Sequence, residues 1–381
     1  MANELSAAVP KIIADILLQL EGEVVLGSLY SHRYEAAPKK GNTVTVPIVG
    51  TVPVQTVVPG HVSQDTGDVS LTSVEVTCDT WSEAAFTMTD QDLIEVLDGT
   101  ELAFIASAAT ALVEDINEDC ADLYKKVWNS VGAAGTDPFG TDTSEATAAR
   151  KALNIQKVPK PNRYFVMNHD AEAEALNLRA FQDLSWSGDR EAFQEGKLPR
   201  RLGFYFVTDG QIPDHTAGTI TTGLITKAST VVAVGVKTFT ATTAASTGAC
   251  ALKIGDLINI AGHPYTYTLT AAATQASAAS DVTIAVEPGL QVALAGSEAI
   301  TVVASHAANL AFHPSWAAFA MLPMNSIKRK VAITQTFIHE KSGIPLRLYI
   351  EEESRQFRFA LEAFYGIKEV RTECAVRVLG A

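Results

Sequence analysis

Residues 100–128 read TELAFIASAATALVEDINEDCADLYKKVW. Leu102, Ile105, Ala109, Leu112, Val113, Ile116, Cys120, Leu123 and Val127 recur at three- and four-residue steps, the spacing that lines one face of a helix. The opposite positions carry Glu101, Glu114, Asp115, Glu118, Asp119 and Asp122, so the other face is strongly acidic. The pattern predicts one helix over 100–129, a rod of roughly 45 Å at about 1.5 Å per residue. Thr89, with Asp92 three residues on, reads as an approximate capping box that opens the helical region. A charge run of this kind is ordinarily a solvated face, and its sign sets it against DNA phosphates.

Upstream lie two segments with no partner of their own. Val9, Ile12, Ile13, Ile16, Leu17 and Leu20 share one helical face, and Gly22 and Gly27 end that pattern. The next segment, Asn42–Val58, carries Val44, Val46, Ile48, Val52, Val54 and Val58, while Val69–Thr77 alternates again through Leu71, Val74 and Val76. Together they predict a long hairpin whose polar tip is Gly60–Asp68. Pro47, Pro53 and Pro59 each remove a ladder donor, which confines these strands to edges or free arms. An isolated two-stranded ribbon is marginal in water and needs a surface to lie on.

Downstream, Tyr164–Met167 and Phe204–Val207 read as buried strands, with a helix beginning at Asn168. Between His215 and Ala308 the character changes: seven of 94 residues are charged and 17 are threonine. Short strands are predicted at Thr230–Val236, Lys237–Thr242, Asp256–Ile260, Tyr265–Thr270, Val282–Val286 and Ala299–Val303, the spacing of a small barrel or sandwich. Apolar runs resume at Asn309–His313 and Trp316–Leu322, followed by strands at Ala332–Ile338, Leu346–Ile350 and Phe357–Phe364. The alternation of Val370, Thr372, Cys374, Val376 and Val378 suggests a last half-buried strand. The fold class is therefore α+β, with core segments on both sides of a Thr-rich insertion.

Composition narrows the function. Forty-three acidic against 29 basic residues give a charge of −14, which argues against specific nucleic-acid binding. The mean hydropathy of +0.13 is high, yet no run approaches the ~20 apolar residues a membrane helix needs. Met1–Pro10 lacks the basic and apolar regions of a secretion signal. Cys78, Cys120, Cys250 and Cys374 form no CxxC pair, and three of them fall at apolar-phase positions, so inert buried thiols are expected. No dinucleotide, P-loop, zincin or nucleophile-elbow motif occurs. His339-Glu340 lacks a second histidine, and His169-Asp170 are neighbours that point apart on a helix. No catalytic residue, metal ligand or cofactor is expected.

The order of elements resembles the major capsid proteins of tailed bacteriophages with the Hong Kong 97-type fold. Local matches are Phe165-Val166-Met167-Asn168, Asn309–His313 with Ala317–Ala320, and Arg358-Phe359 to Tyr365-Gly366. Gly255-Asp256-Leu257-Ile258-Asn259-Ile260-Ala261-Gly262 is similar to a passage in the inserted β domain of short-tailed-phage coat proteins. The resemblance implies an N-terminal arm at 1–36, an extended-loop hairpin at 37–88, a peripheral and axial core at 89–210 and 309–381 with a spine helix at 100–129, and an inserted β domain at 211–308. It implies an icosahedral shell around double-stranded DNA, built from hexamers and pentamers of this chain in the host bacterial cytoplasm, with no membrane involved. Implied partners are a separate scaffolding protein, because no scaffold-like domain precedes Asn42, a portal protein at one vertex and, optionally, a decoration protein. Intersubunit contacts would come from Ile12, Ile13, Ile16, Leu17, Val44, Val46, Val52 and Val54. No Lys lies between Gly41 and Trp81, so no lysine crosslink through the hairpin is expected. Another phage structural protein, such as a tail-tube or decoration protein, or a β-rich adhesin, is the alternative reading.

Overall fold

The computed structural model describes residues 26–31, 43–50, 71–89, 100–182, 196, 198, 200–220, 223–227, 231–243, 250–275, 281–322, 332–338 and 345–381. They divide between two compact units. One draws on Ser31–Leu112 and Ala318–Val370, the other on Gly22–Tyr30, Val113–Ala317 and Arg371–Ala381. Strands are numbered in chain order.

In the first unit, β1 (Thr43–Val49) and β2 (Leu71–Thr77) form an antiparallel ribbon in which Val46 faces Val74 and Pro47 faces Ser73. A two-stranded ribbon has only edges, so Pro47 removes no donor from a sheet interior. The tip and the outer half of the predicted hairpin, 51–70, lie outside the described residues, as does the N-terminal helix. The stretch Thr80–Thr89 is a strand, β3, which corrects the helical opening read at Thr89: that residue ends the strand. β3 pairs through Thr80–Thr89 with β21 (Gln356–Glu369), which also pairs β20 (Pro345–Glu353), itself paired to β19 (Ala332–Ile338). β18 (Ala317–Met321) completes this five-stranded sheet. One sheet face buries Leu346, Leu348, Ile350, Phe359 and Leu361, while Phe86 stacks on Phe359 with centroids 5.2 Å apart. Gly366 fixes how closely the ribbon approaches. A Cβ there would lie 2.2 Å from the Thr77 carbonyl oxygen.

The long helix runs Thr100–Asp122, about 35 Å at 1.5 Å per residue. Ala109, Leu112, Val113, Ile116 and Cys120 are buried, and Glu114, Asp115, Glu118, Asp119 and Asp122 are exposed, as the periodicity requires. It is shorter than read from the sequence. Leu123–Lys126 tightens into a 3-10 turn, and Val127 is extended at φ −83, ψ 112. The tighter turn rotates Tyr124 rather than Leu123 into the interior.

The second unit holds a mixed sheet ordered β4 (Ser130–Val131), β22 (Ala375–Leu379), β17 (His306–Phe312), β5 (Arg163–Met167) and β6 (Phe204–Thr208), with β7 (Asp214–His215) added on β17. β22 runs parallel to β4 and β5 parallel to β6, while β17 is antiparallel to its neighbours. Two helices accompany the sheet. Ser144–Ile155, which the sequence reading passed over, buries Ala146, Ala149 and Leu153. His169–Asn177 starts where expected, with the Asn168 side chain accepting from the Ala171 amide. Phe139, Phe165, Phe181, Phe204 and Phe206 pack together, mostly edge-on or tilted.

Six short strands close into a barrel: β10 (Thr238–Thr243), β15 (Val282–Glu287), β13 (Thr266–Leu269), β12 (Leu257–Ile260), β16 (Ala299–Val302) and β9 (Leu224–Thr226), while β14 (Ala273–Gln275), β11 (Cys250–Leu252) and β8 (Thr219–Ile220) form a separate three-stranded sheet. Alternate residues of β10 and β15 are buried, the period of a strand with one face inward. Of the strands read here, Thr230–Val236 is the exception among its described residues. Val232 makes an isolated bridge to Leu294, and Val234 and Gly235 form a turn. The last predicted strand is also corrected. Thr372–Cys374 is a 3-10 turn and β22 is buried along its whole length, because it is a central strand flanked by β4 and β17.

Candidate functional site

Five buried polar side chains of the second unit converge where the barrel meets the sheet. The 3-10 turn supplies Tyr124, β7 supplies His215, the turn before β12 supplies Asp256, β17 supplies His306 and β22 supplies Arg377, all buried. Asp256 belongs to the Gly-Asp passage seen in the sequence, and Gly255 there has φ +87, a conformation glycine adopts without strain.

The hydrogen bonds form one connected path. Tyr124 Oη donates to His215 Nδ1 at 2.9 Å, and His215 Nε2 donates to Asp256 Oδ1 at 2.8 Å. The amides of Gly218, at 3.0 Å to Oδ1, and Lys253, at 2.7 Å to Oδ2, also donate to that carboxylate. Arg377 Nη1 donates to the Gly255 carbonyl at 3.0 Å and Nη2 to the Tyr124 carbonyl at 2.6 Å, while its guanidinium lies 4.8 Å over the Tyr124 ring. His306 Nδ1 donates to the Ala304 carbonyl at 2.8 Å, which leaves Nε2 as an acceptor 3.4 Å from Arg377 Nη1.

Burial acts on each group, and the partners decide the outcome. Burial alone would raise Asp256, yet the His215 hydrogen bond and the two amides hold it below the ordinary carboxylate value. Burial lowers Arg377 to about 10, opposed by Tyr124 and Asp256, so it stays charged at neutral pH. Burial pushes His306 down to about 4 against the raising effect of the Ala304 hydrogen bond and Asp256, with Arg377 and His215 adding to the fall.

Tyr124, His215 and Asp256 thus have the connectivity of a proton relay without its access. Each is at least 97% buried by accessible surface, as relative exposures of 3%, 3% and 0% require, so a substrate has no approach to the relay. The arrangement ties elements together. Sequence reasoning missed it because His215, His306 and Arg377 are far apart along the chain and sit in no motif spacing. Asp256, within the Gly-Asp passage, was its one trace, since the alternation of the last strand puts Arg377 on the polar side.

The four thiols are buried and free. Burial raises all of them, Cys78 to about 11. Among the described residues, no group of three or more His, Cys, Asp and Glu is arranged to hold a metal. His169 begins its helix, and His339 lies outside the described residues. On the polar face of the first unit's sheet, a cleft of about 270 Å³ is lined by Trp81, Glu83, Arg347, Arg358 and Glu362 among others. Its charged groups have partners within it: Arg358 bonds Glu83 at 2.6 Å, Arg347 bonds Glu362, and Glu351 accepts from the Tyr349 hydroxyl. Trp81 is 61% exposed beside it.

Of the predicted contact residues, Ile12, Ile13, Ile16, Leu17, Val52 and Val54 lie outside the described residues. Val46 is buried with Val76, Cys78, Ala318 and Ala320, and Val44 packs against that cluster. Both therefore anchor the base of the ribbon within their own unit.

Comparison with solved structures identifies the architecture. A chain of Mycobacterium phage Che8 aligns with a TM-score of 0.52 at 17% identity, covering 93% of this chain and 91% of that one. A chain from the capsid structure of the cyanophage P-SCSP1u aligns with a TM-score of 0.51 at 11% identity, covering 94% and 88%. At these identities the likeness establishes the fold, and it does so over nearly the whole chain. No family model and no curated protein sequence matches.

Proposed function

We propose that this chain is the major capsid protein of a tailed bacteriophage, a non-enzymatic subunit that assembles with copies of itself into the icosahedral shell around a double-stranded DNA genome. The observation that carries the reading is a fold shared over 94% of this chain with a chain of a phage capsid structure. The Hong Kong 97-type assignment is supported by the order of ribbon, long acidic helix and mixed sheet. In this reading Leu224–Val302 forms the core of an inserted β domain, since β6 before it and β17 after it belong to one sheet. The domain limits 1–36, 37–88, 89–210 with 309–381, and 211–308 follow from it.

The mechanism is mechanical. Each subunit makes many weak contacts and closure of the shell sums them. Val44 and Val46 pin the base of the hairpin, while Val52 and Val54 beyond it, with Ile12, Ile13, Ile16 and Leu17 of the arm, meet neighbouring copies. A scaffolding protein directs closure in the host cytoplasm, a portal occupies one vertex, and a decoration protein is an optional addition. The acidic charge of −14 keeps DNA from adhering to the wall.

Co-expression with the scaffolding protein of the same phage, followed by sedimentation, tests this reading. Fast-sedimenting particles of uniform size are expected, and protein that stays at the size of one 40.5 kDa chain would overturn it.

A further inference from the structure

Among the described residues of the buried junction, His306 is an imidazole that no carboxylate hydrogen-bonds: Asp256 attracts a charge there, but less than Arg377 and His215 repel it. Its Nε2 faces Arg377 from β22 at 3.4 Å, and its ring lies 5.3 Å from that of His215 on β7. Tyr124 on the 3-10 turn and Asp256 before β12 complete the titratable surroundings. Lys125 approaches Gly255 but pairs with Asp122 at 2.6 Å, and the Lys253 side chain is exposed. Asp256, the carboxylate among these five side chains, is already engaged by His215 and two amides.

The barrel, by contrast, has a core of its own. Ile258, Tyr267, Leu269, Ile284, Val286 and Ile300 are buried in one cluster drawn from 220–302. Further ties from the barrel, among them the Thr266 and Thr268 hydroxyls bonded to the carbonyls of Trp128 and Lys125 and the Ser130 hydroxyl bonded to Thr266, are neutral and insensitive to pH.

We propose that the junction is an acid-sensitive latch: protonation of His306 sets a second cation against Arg377 and opens the contact between barrel and sheet while the barrel itself stays folded. The direction follows from linkage. His306 is held near 4 in the closed junction against 6.5 ordinarily, so the open state binds the extra proton. Closure therefore weakens as pH falls from about 6.5 to about 4, by up to about tenfold per pH unit for one proton.

Hydrogen exchange of the full-length protein, read as protection factors between pH 6.5 and 4.5, tests the latch. Peptides holding the Gly218 and Ala308 amides, which bond Asp256 and Pro213, are expected to lose about 40-fold. Peptides holding the Thr270 and Val286 amides, bonded within the barrel, are expected to hold. In His306→Gln, or His306→Asn if that folds better, the junction peptides are expected to be flat with pH. Equal loss in both peptide sets, no loss in either, or the same slope in the variant would each overturn the latch. If neither variant folds, the contrast between the two peptide sets in the wild-type chain decides alone.

Discussion

Arg377 is wholly buried, and its guanidinium is tolerated because two carbonyls, an imidazole nitrogen and an aromatic face surround it. Asp256 supplies the balancing charge to the same buried group of residues. Removing that carboxylate by Asp256→Ala strands His215 and two amides, so a loss of about 3 kcal/mol is expected in denaturant unfolding. A loss under about 1 kcal/mol would mean that the junction contributes little to stability. The thiols give a second check at this scale. With Cys78 raised to about 11, roughly 0.1% of it is thiolate at pH 8, and burial hides the rest. Native protein is expected to leave all four cysteines unmodified by an aromatic disulfide reagent, and unfolded protein to expose four. Rapid reaction of the native chain would contradict the buried placement.

Among the elements, the sequence was most legible where one periodicity ran long. The helix Thr100–Asp122 was read correctly along its length because Leu112, Val113, Ile116 and Cys120 face inward and the carboxylates face out. Its end was misread because a change from 3.6 to 3 residues per turn at Leu123 leaves little trace in residue type. Ser144–Ile155 went unseen because two of its three buried positions are alanine, too small to raise a hydrophobic signal. β3 was missed because its inward positions include Thr80, Ser82 and Ala84 while Trp81 faces out, and β9 because three residues cannot show a period. The final strand was misjudged as half-buried because Arg377 looks like a solvent residue until its partners, distant in sequence, are known. Asn168 was legible for a local reason, the N-cap bond, and Asn168→Ala is expected to cost about 1 kcal/mol in thermal or denaturant unfolding. Gly366→Ala is expected to cost about 2 kcal/mol or more, since its Cβ would strike a main-chain oxygen rather than a movable side chain. Wild-type stability in that variant would contradict the close approach of the ribbon to β21.

For the whole molecule, an acidic chain of high mean hydropathy finds its explanation in two places. A nearly uncharged barrel accounts for part of the apolar excess, and the arm and hairpin positions that we assign to neighbouring copies account for the rest. The charge of −14 leads to the expectation that assembled particles do not retain duplex DNA at about physiological salt, and retention in a filter-binding assay would contradict the role given to the acidic surface. The proposed assembly is legible only through the order of elements, because a contact repeated across a shell would be spread over many weak positions and leave no motif. The most direct measurement is electron cryomicroscopy of the chain co-expressed with its scaffolding protein. The account predicts closed icosahedral shells whose walls fit this fold, and open tubes or unassembled subunits under the same conditions would contradict it.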